Sequence, residues 1–184
     1  MRKLYMFNFV SLDGFFEGTR KWDLSWHNVD DEFQEYAIGQ LDAIGHLLFG
    51  RVTYEGMAAY WTAADAMKDD PIVAGKMNSI PKIVFSRTLK EASWGNTRLV
   101  STDARMEVQT LKAQPGKDIA IFGSAKLASG LTREGLIDEY RIMVNPVLIG
   151  EGTPLFEKVG KNIRLKLDGV KTFNSGNVLL TYIR

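Results

Sequence analysis

The stretch that most restricts what this chain can become runs from Ile119 to Phe156, IAIFGSAKLASGLTREGLIDEYRIMVNPVLIGEGTPLF. It reads as a short apolar strand from Ile119 to Phe122, a turn at Gly123 and Ser124, a helix, and a second strand from Glu139 to Ile149 that ends in another glycine turn. A strand that hands a glycine straight to a helix start leaves backbone N–H groups without partners. They sit at the positive end of the helix dipole, with no Cβ in the way of an approaching anion. Such a turn either holds a phosphate or is a tight connection with nothing bound. A second junction of the same kind, GRVTYEGM after the apolar run Ile44 to Phe49, favours the phosphate.

The rest of the chain repeats the alternation of strand and helix. Leu4 to Leu12 reads as a buried first strand closed by Asp13-Gly14, and a loop with Trp22 and Trp26 follows. Asn28 or Asp30 caps a helix through about Gln40, and Arg51 to Tyr60 forms the helix after Gly50. Trp61 to Asp70 loses all periodicity and reads as loop; Asp70-Pro71 then opens a helix through Asn78. Lys82 to Phe85 and Arg98 to Val100 read as short strands, and Thr102 caps a helix to Ala113. Two closing strands, Ile163 to Phe173 and Val178 to Ile183, are joined by Asn174-Ser175-Gly176-Asn177, a hairpin signal. The expected fold is α/β: one domain with a mainly parallel central sheet flanked by helices, and a C-terminal antiparallel hairpin.

Charge and cysteine content narrow the function. A formal net charge of +1 gives no global field for nucleic acid or an anionic membrane, so any anion site is local and the partner a small molecule. With no cysteine there is no disulfide, no thiolate metal site and no cysteine nucleophile, and two histidines are too few for a histidine-rich metal centre. The amino end looks superficially like a signal peptide, but Asn8 interrupts its apolar run, and nothing demands export. No apolar run reaches the roughly 20 residues that span a bilayer.

In an open parallel sheet, ligands bind beyond the carboxyl ends of the strands. Three strand ends carry suitable groups: Gly50-Arg51-Val52-Thr53, Ser86-Arg87-Thr88, and Gly123-Ser124-Ala125-Lys126. On one rim they offer two helix starts, three cations and several hydroxyls, as an extended multi-phosphate ligand requires. Taken singly, Arg51 and Arg87 are equally readable as solvated charges, and Thr53 and Ser124 as plain caps. No G-x-x-x-x-G-K-[ST] loop is present, which argues against a phosphotransferase, and no G-x-G-x-x-G follows a strand. Phe15, Phe16, Trp22, Trp26, Tyr54 and Trp61 either wall a flat heterocycle or belong to the core. His46 reads as a structural histidine within a strand. His27 lies in a loop near the pocket, and Glu151, between two glycines, caps a loop or faces a ligand.

The segments SLDGFFEG, LLFGRVTYE, KIVFSRTL and IAIFGSAKL, with GLIDEYRIMVNPVLIGEGTPLF, resemble the reductase domain of riboflavin biosynthesis (the C-terminal domain of RibD) and its stand-alone relatives, which share the dihydrofolate reductase fold. The match runs in order over nearly the whole chain. The resemblance implies an NADPH-dependent reductase of a small, flat, nitrogen-containing substrate, cytoplasmic and paired as a homodimer. It places Gly50, Arg51 and Thr53 at the adenosine-side phosphates, Ser86 and Arg87 beside the adenine and its 2′-phosphate, and Gly123, Ser124 and Ala125 against the pyrophosphate. Many relatives have two consecutive glycines there, and Ser124 replaces the second; a position needing positive φ would strain it. The resemblance makes Asp13 the choice for orienting substrate or relaying a proton, a role worth about 10²- to 10⁴-fold in rate, although Asp-Gly is also a plain turn former. Dihydrofolate reductases use a carboxylate on the first helix, where Asp31 and Glu35 stand. The absent cysteines exclude the zinc deaminase that accompanies this reductase in bifunctional relatives. The rival expectation is a nucleotide-binding module on the same fold that has lost turnover.

Overall fold

The computed structural model describes residues 1–160 and 162–184. In chain order the elements are β1 (Leu4–Ser11), β2 (Phe15–Glu17), α1 (Asp31–Asp42), β3 (Ile44–Gly50), α2 (Arg51–Trp61), α3 (Ala64–Asp69), α4 (Pro71–Ser79), β4 (Lys82–Phe85), β5 (Thr97–Val100), α5 (Ala104–Ala113), β6 (Asp118–Phe122), α6 (Ala125–Arg133), β7 (Glu139–Asn145), β8 (Thr153–Pro154), β9 (Lys166–Thr172) and β10 (Val178–Ile183). Eight strands form one sheet in the order β5-β4-β3-β6-β1-β7-β10-β9, and β2 pairs separately with β8. Neighbours from β5 across to β7 run parallel, while β10 lies antiparallel to both β7 and β9. The parallel sheet with a terminal antiparallel hairpin is the architecture expected from the alternation of elements.

Both faces of the sheet are covered, which is why its central strands are apolar almost throughout. Along β1, Leu4, Met6 and Val10 enter the cluster with Val108, Leu111, Ala128 and Leu131 of α5 and α6. The alternate residues Tyr5 and Phe7 enter the cluster with Leu41, Tyr54, Val73 and Met77 on α1, α2 and α4. This two-residue period is the pleat of the strand read out as burial.

The structure departs from the sequence reading at several elements. The segment read as a loop from Trp61 to Asp70 contains α3, six residues long and without a side-chain cap, too short to print a periodicity. Asp103, not Thr102, caps α5 by accepting from the Arg105 N–H at 2.9 Å. The strand expected to reach Ile149 stops at Asn145, since Pro146 has no N–H to continue the ladder. The strand expected from Ile163 begins at Lys166. Strands β2 and β8 escaped notice because three and two residues carry no readable alternation.

Two buried polar groups fix the frame. Lys82, 1% exposed at the start of β4, donates to the carbonyls of Met77, Asn78 and Ile80 at 2.8, 3.1 and 2.7 Å, closing the carboxyl end of α4. Burial pulls its pKa down to about 8. Asn145 donates to the carbonyls of Val10 and Met143 and accepts from the Asn28 N–H, so the loop before α1 is tied to the end of β7.

Candidate active site

The turns after β3, β4 and β6 lie on one rim because their strands are adjacent, parallel and in register: Gly50 pairs with Phe85, and Leu48 with Ile121. At the β6–α6 junction Gly123 and Ser124 are both left-handed, with φ of 62° and 54°. For serine this conformation costs about 1–2 kcal/mol. Two long-range hydrogen bonds offset it. The Ser124 N–H donates to Thr53 Oγ1 at 3.1 Å, and Ser124 Oγ accepts from the Gly50 N–H at 3.0 Å. The Thr53 methyl lies 3.0 Å from where a Cβ on Gly123 would sit, which keeps that position glycine. The two strand-to-helix junctions are thus stitched together, and Gly50, Thr53, Gly123, Ser124 and Ala125 form one cluster.

The stitching has two consequences. The N–H groups of Gly50 and Ser124, expected to face a phosphate, are used within the protein. The helix starts behind them stay open: α2 and α6 begin at Gly50 and Ser124 with no side-chain cap. A Cβ on Gly50 would have only Ser124 Oγ within 4.0 Å, so the space in front of α2 is free for a ligand. The first-turn N–H groups of the two helices suit an anionic diphosphate, and these residues fit that group.

The loop 18–26 and the loop 149–152 line an open hollow of about 320 Å3, with Thr19, Asp23, Ser25, Trp26 and Glu151 in its wall. The strand pair β2 and β8 holds these loops together, and Phe16 of β2 comes within 3.9 Å of where a Gly123 Cβ would lie, joining hollow and junction.

A family model for the RibD C-terminal domain matches residues 2–179. The chain belongs to this family. The uncharacterized protein YyaP of Bacillus subtilis (strain 168) is 34% identical over 175 residues, covering 94% of this chain and 90% of that protein. The solved structure of a Shewanella sp. PV-4 protein named for riboflavin biosynthesis matches with a TM-score of 0.77 at 24% identity, covering 99% of this chain and 98% of that one. A Thermotoga maritima diaminohydroxyphosphoribosylaminopyrimidine deaminase/5-amino-6-(5-phosphoribosylamino)uracil reductase matches with a TM-score of 0.67 at 15% identity, covering 99% of this chain and 56% of that one. The fold is therefore that of the dihydrofolate reductase-like RibD domains.

Within this RibD-type domain the remaining residues singled out from sequence fall into three groups. Arg51 and Arg87 stand on the rim, but Arg51 Nη1 is bonded to both carboxylate oxygens of Glu55 at 3.0 and 2.9 Å. Arg87 is exposed and makes no ion pair among the described residues, presented by a turn in which Ser86 Oγ accepts from the N–H groups of Thr88 and Leu89. Ser86 is thus engaged in shaping the turn.

Asp13 stands at the end of β1 with its carboxylate occupied. It accepts from the Ser11 hydroxyl at 2.6 Å and from the Ile149 and Gly150 N–H groups at 3.3 and 2.8 Å. The Ser11 bond, followed by those backbone donors, holds its pKa below the usual carboxylate range. The geometry makes Asp13 an anionic clamp on the 149–150 turn and leaves it without a proton to give.

The aromatic residues separate. Trp26 lines the hollow, its indole N–H donating to the Asp23 carbonyl at 3.1 Å. Trp22 is left-handed at φ 63° and lays its indole where a side chain on Gly56 of α2 would be, 1.9 Å from the position of a Cβ there. Tyr54 corrects the expectation of an aromatic wall at the substrate: it is 3% exposed, its hydroxyl accepts from the Trp94 N–H at 2.8 Å, and it belongs to the core beneath α2. His27 stacks on Phe9 with centroids 4.4 Å apart, and burial pulls its pKa down to about 4, so it is neutral at neutral pH. Asp31 and Glu35 are exposed on α1 and do not line the hollow. Sequence reasoning missed Asp23, and it missed Asn8, 2% exposed in β1 with neither amide atom hydrogen-bonded. An asparagine interrupting an apolar strand was the available signal.

Proposed function

We propose that this chain is an NADPH-dependent reductase acting on a C=N or C=O bond of a small, flat, pyrimidine- or pterin-like heterocycle. The observation that carries the reading is the pair of uncapped helix starts, α2 and α6, bound side by side through Gly50, Thr53 and Ser124. Membership of the RibD C-terminal family and the reductase activity for which the Thermotoga protein is named support the reaction class.

When bound, the coenzyme supplies a hydride to the substrate carbon, and a proton completes the neighbouring nitrogen or oxygen. The chain's own residues hold and orient. The first-turn N–H groups from Arg51 and Ala125 onward would hold the diphosphate, and Arg87, which makes no ion pair among the described residues, would hold the 2′-phosphate. Asp13 would fix the 149–150 turn on the substrate side, and the proton would come from water. Pairing as a homodimer in the cytoplasm belongs to the same reading. The edge strand β9, with Leu167 and Val170 50% and 55% exposed, is the face we expect to be covered, and sedimentation measures it.

Two observations favour a second reading. The strained Ser124 and the internal use of the Gly50 N–H weaken the phosphate cradle, as in a nucleotide-binding module that no longer turns over. Titration of NADPH fluorescence followed by an oxidation assay against a pterin and pyrimidine panel separates the two. Saturable binding with oxidation supports the reductase; tight binding with no oxidation by any member supports the module. Arg87→Ala is expected to lower the preference for NADPH over NADH about tenfold, and an unchanged ratio removes Arg87 from the site.

A further inference from the structure

Along β1 the side chains of Leu4, Met6 and Val10 enter the apolar cluster beneath α6, and strand alternation sets Asn8 between the last two of them. It is 2% exposed, and neither its Oδ1 nor its Nδ2 has a hydrogen-bond partner among the described residues. An amide buried without partners is costly, and this one lacks both its donor and its acceptor bonds. A lone buried water does not remove the cost, because it needs about two to four polar partners of its own. The cluster on this face, with Met6, Val10, Ala125 and Leu155, offers it hydrocarbon.

The place of Asn8 in the sheet is a second, independent observation. Strand β1 pairs with β7 from Tyr5 through Ser11, but its pairing with β6 ends at Phe7 and Phe122. The last link is the Gly123 N–H donating to the Phe7 carbonyl at 3.4 Å, after which the chain turns into α6. Asn8 is thus the first residue of β1 past the end of β6, beside the uncapped start of α6 at Ser124. Phe16 packs against the same cluster from β2, a strand of three residues whose partner among the described residues is the two-residue β8. So short a pair has little to hold it against an entering ring.

A group that satisfies Asn8 presents a donor and an acceptor side by side. A phosphate offers acceptors alone and a hydrocarbon ring neither, whereas an amide edge offers both in one plane. On the reductase reading two bound rings carry such an edge: the carboxamide of the nicotinamide, and the lactam of a pyrimidine- or pterin-like substrate. Resting on that reading, we infer that Asn8 receives the amide edge of a ring bound between β1 and the start of α6. Its hydrogen bonds, unmet in the free protein, are completed by that ring, which Asn8 orients.

Calorimetry and thermal melts of the intact chain test this with Asn8→Val, and with the smaller Asn8→Ser should valine crowd the cluster. The probes are NADPH, its 3-acetylpyridine analogue, 2′-phospho-ADP-ribose, which lacks the ring, and uracil added to the NADPH-loaded chain. Where the nicotinamide supplies the edge, the variants are expected to bind NADPH about tenfold more weakly and 2′-phospho-ADP-ribose as before. The wild type then prefers NADPH to the acetylpyridine analogue, which has a methyl in place of the amide nitrogen, and the variants lose that preference. Where the substrate lactam supplies it, the coenzyme is unmoved and uracil loses about tenfold. At least one variant is expected to melt no lower than the wild type, since it gives up an amide that had no partner. Undiminished binding of both NADPH and uracil, an equal loss of 2′-phospho-ADP-ribose, or a lower melting temperature in both variants each overturns the inference. Failure of the wild type to bind NADPH sinks the reductase reading and this inference together, whereas NADPH bound alike by wild type and variants, with uracil equally unaffected, sinks the role of Asn8 alone.

Discussion

Among the described residues five helices are at least nine residues long, and they begin in two ways. Helices α1, α4 and α5 each start behind an aspartate whose carboxylate accepts from a first-turn N–H: Asp30 from Phe33, Asp70 from Val73 and Asp103 from Arg105. Helices α2 and α6 start behind Gly50 and Ser124, with no side-chain cap at either. An aspartate cap both occupies an orphan donor and places a negative charge at the positive end of the helix dipole, so a capped start repels an anion. The uncapped pair keeps its donors and its field. The chain has therefore forgone a cap, worth about 1 kcal/mol each, at the two helix starts that its own hydrogen bonds bring together.

Giving α2 the cap its neighbours have is the most direct way to break this comparison. Gly50→Asp is expected to lower NADPH affinity about a hundredfold or more, through a lost phosphate contact and added repulsion. Its stability should stay level or rise by a few tenths of a kcal/mol, since φ at Gly50 is −79° and a Cβ there has room. Asp103→Ala is the opposite manipulation: about 1 kcal/mol of stability lost in denaturant melts, with coenzyme affinity unchanged. Equal effects of the two on affinity would erase the distinction.

Acid separates the rim's two halves by another route. His27 has a folded-state pKa of about 4 against an unfolded value of 6.5. Because the unfolded chain binds the proton more readily, stability is full above pH 6.5 and falls as pH drops through 4, by on the order of 3 kcal/mol. The ring packs edge-on against Trp26, centroids 4.4 Å apart, so the hollow at Trp26 should loosen before the helix starts do. Tryptophan fluorescence followed with coenzyme binding across this window checks the order, and His27→Phe, which keeps a ring on Phe9, should flatten the slope.

Ser124→Gly sharpens the comparison from inside the junction. It relieves the left-handed serine and frees the Gly50 N–H, so NADPH is expected to bind about fivefold more tightly. Unchanged affinity would mean that the Gly50 donor never faces the ligand.

Much of this was legible in the chain. The strands that end in Gly50, Phe85 and Phe122 announce themselves by apolar runs cut off at turn residues, and parallel topology alone then puts three turns on one rim. The Ser124 hydroxyl's bond to the Gly50 N–H was not legible, because it joins residues 74 positions apart and depends on a few degrees of backbone. Tyr54 went astray for a simpler reason. One residue along a helix turns the side chain by about 100°, so Thr53 faces the α6 junction while Tyr54 faces Trp94 and the core. The Asp23 and Glu151 pair was invisible too, since two loops 128 positions apart meet only through the two short strands β2 and β8.

The smallest effect concerns the one cation that the sequence placed at an uncapped start and the structure finds engaged. Arg51 and Glu55 are each 43% exposed and pair across one helical turn, so the bond is worth a few tenths of a kcal/mol in water. A phosphate at the α2 start has to compete with Glu55 for the guanidinium and also feels its carboxylate. Glu55→Gln removes both and should strengthen NADPH binding about two- to threefold, with the gain shrinking as salt screens the charges. An Arg51 that never reaches the coenzyme predicts no change at any salt. Running the same titration on Arg51→Ala together with Glu55→Gln isolates the coupling: if the gain persists without the arginine, it comes from lowered repulsion at the open helix start.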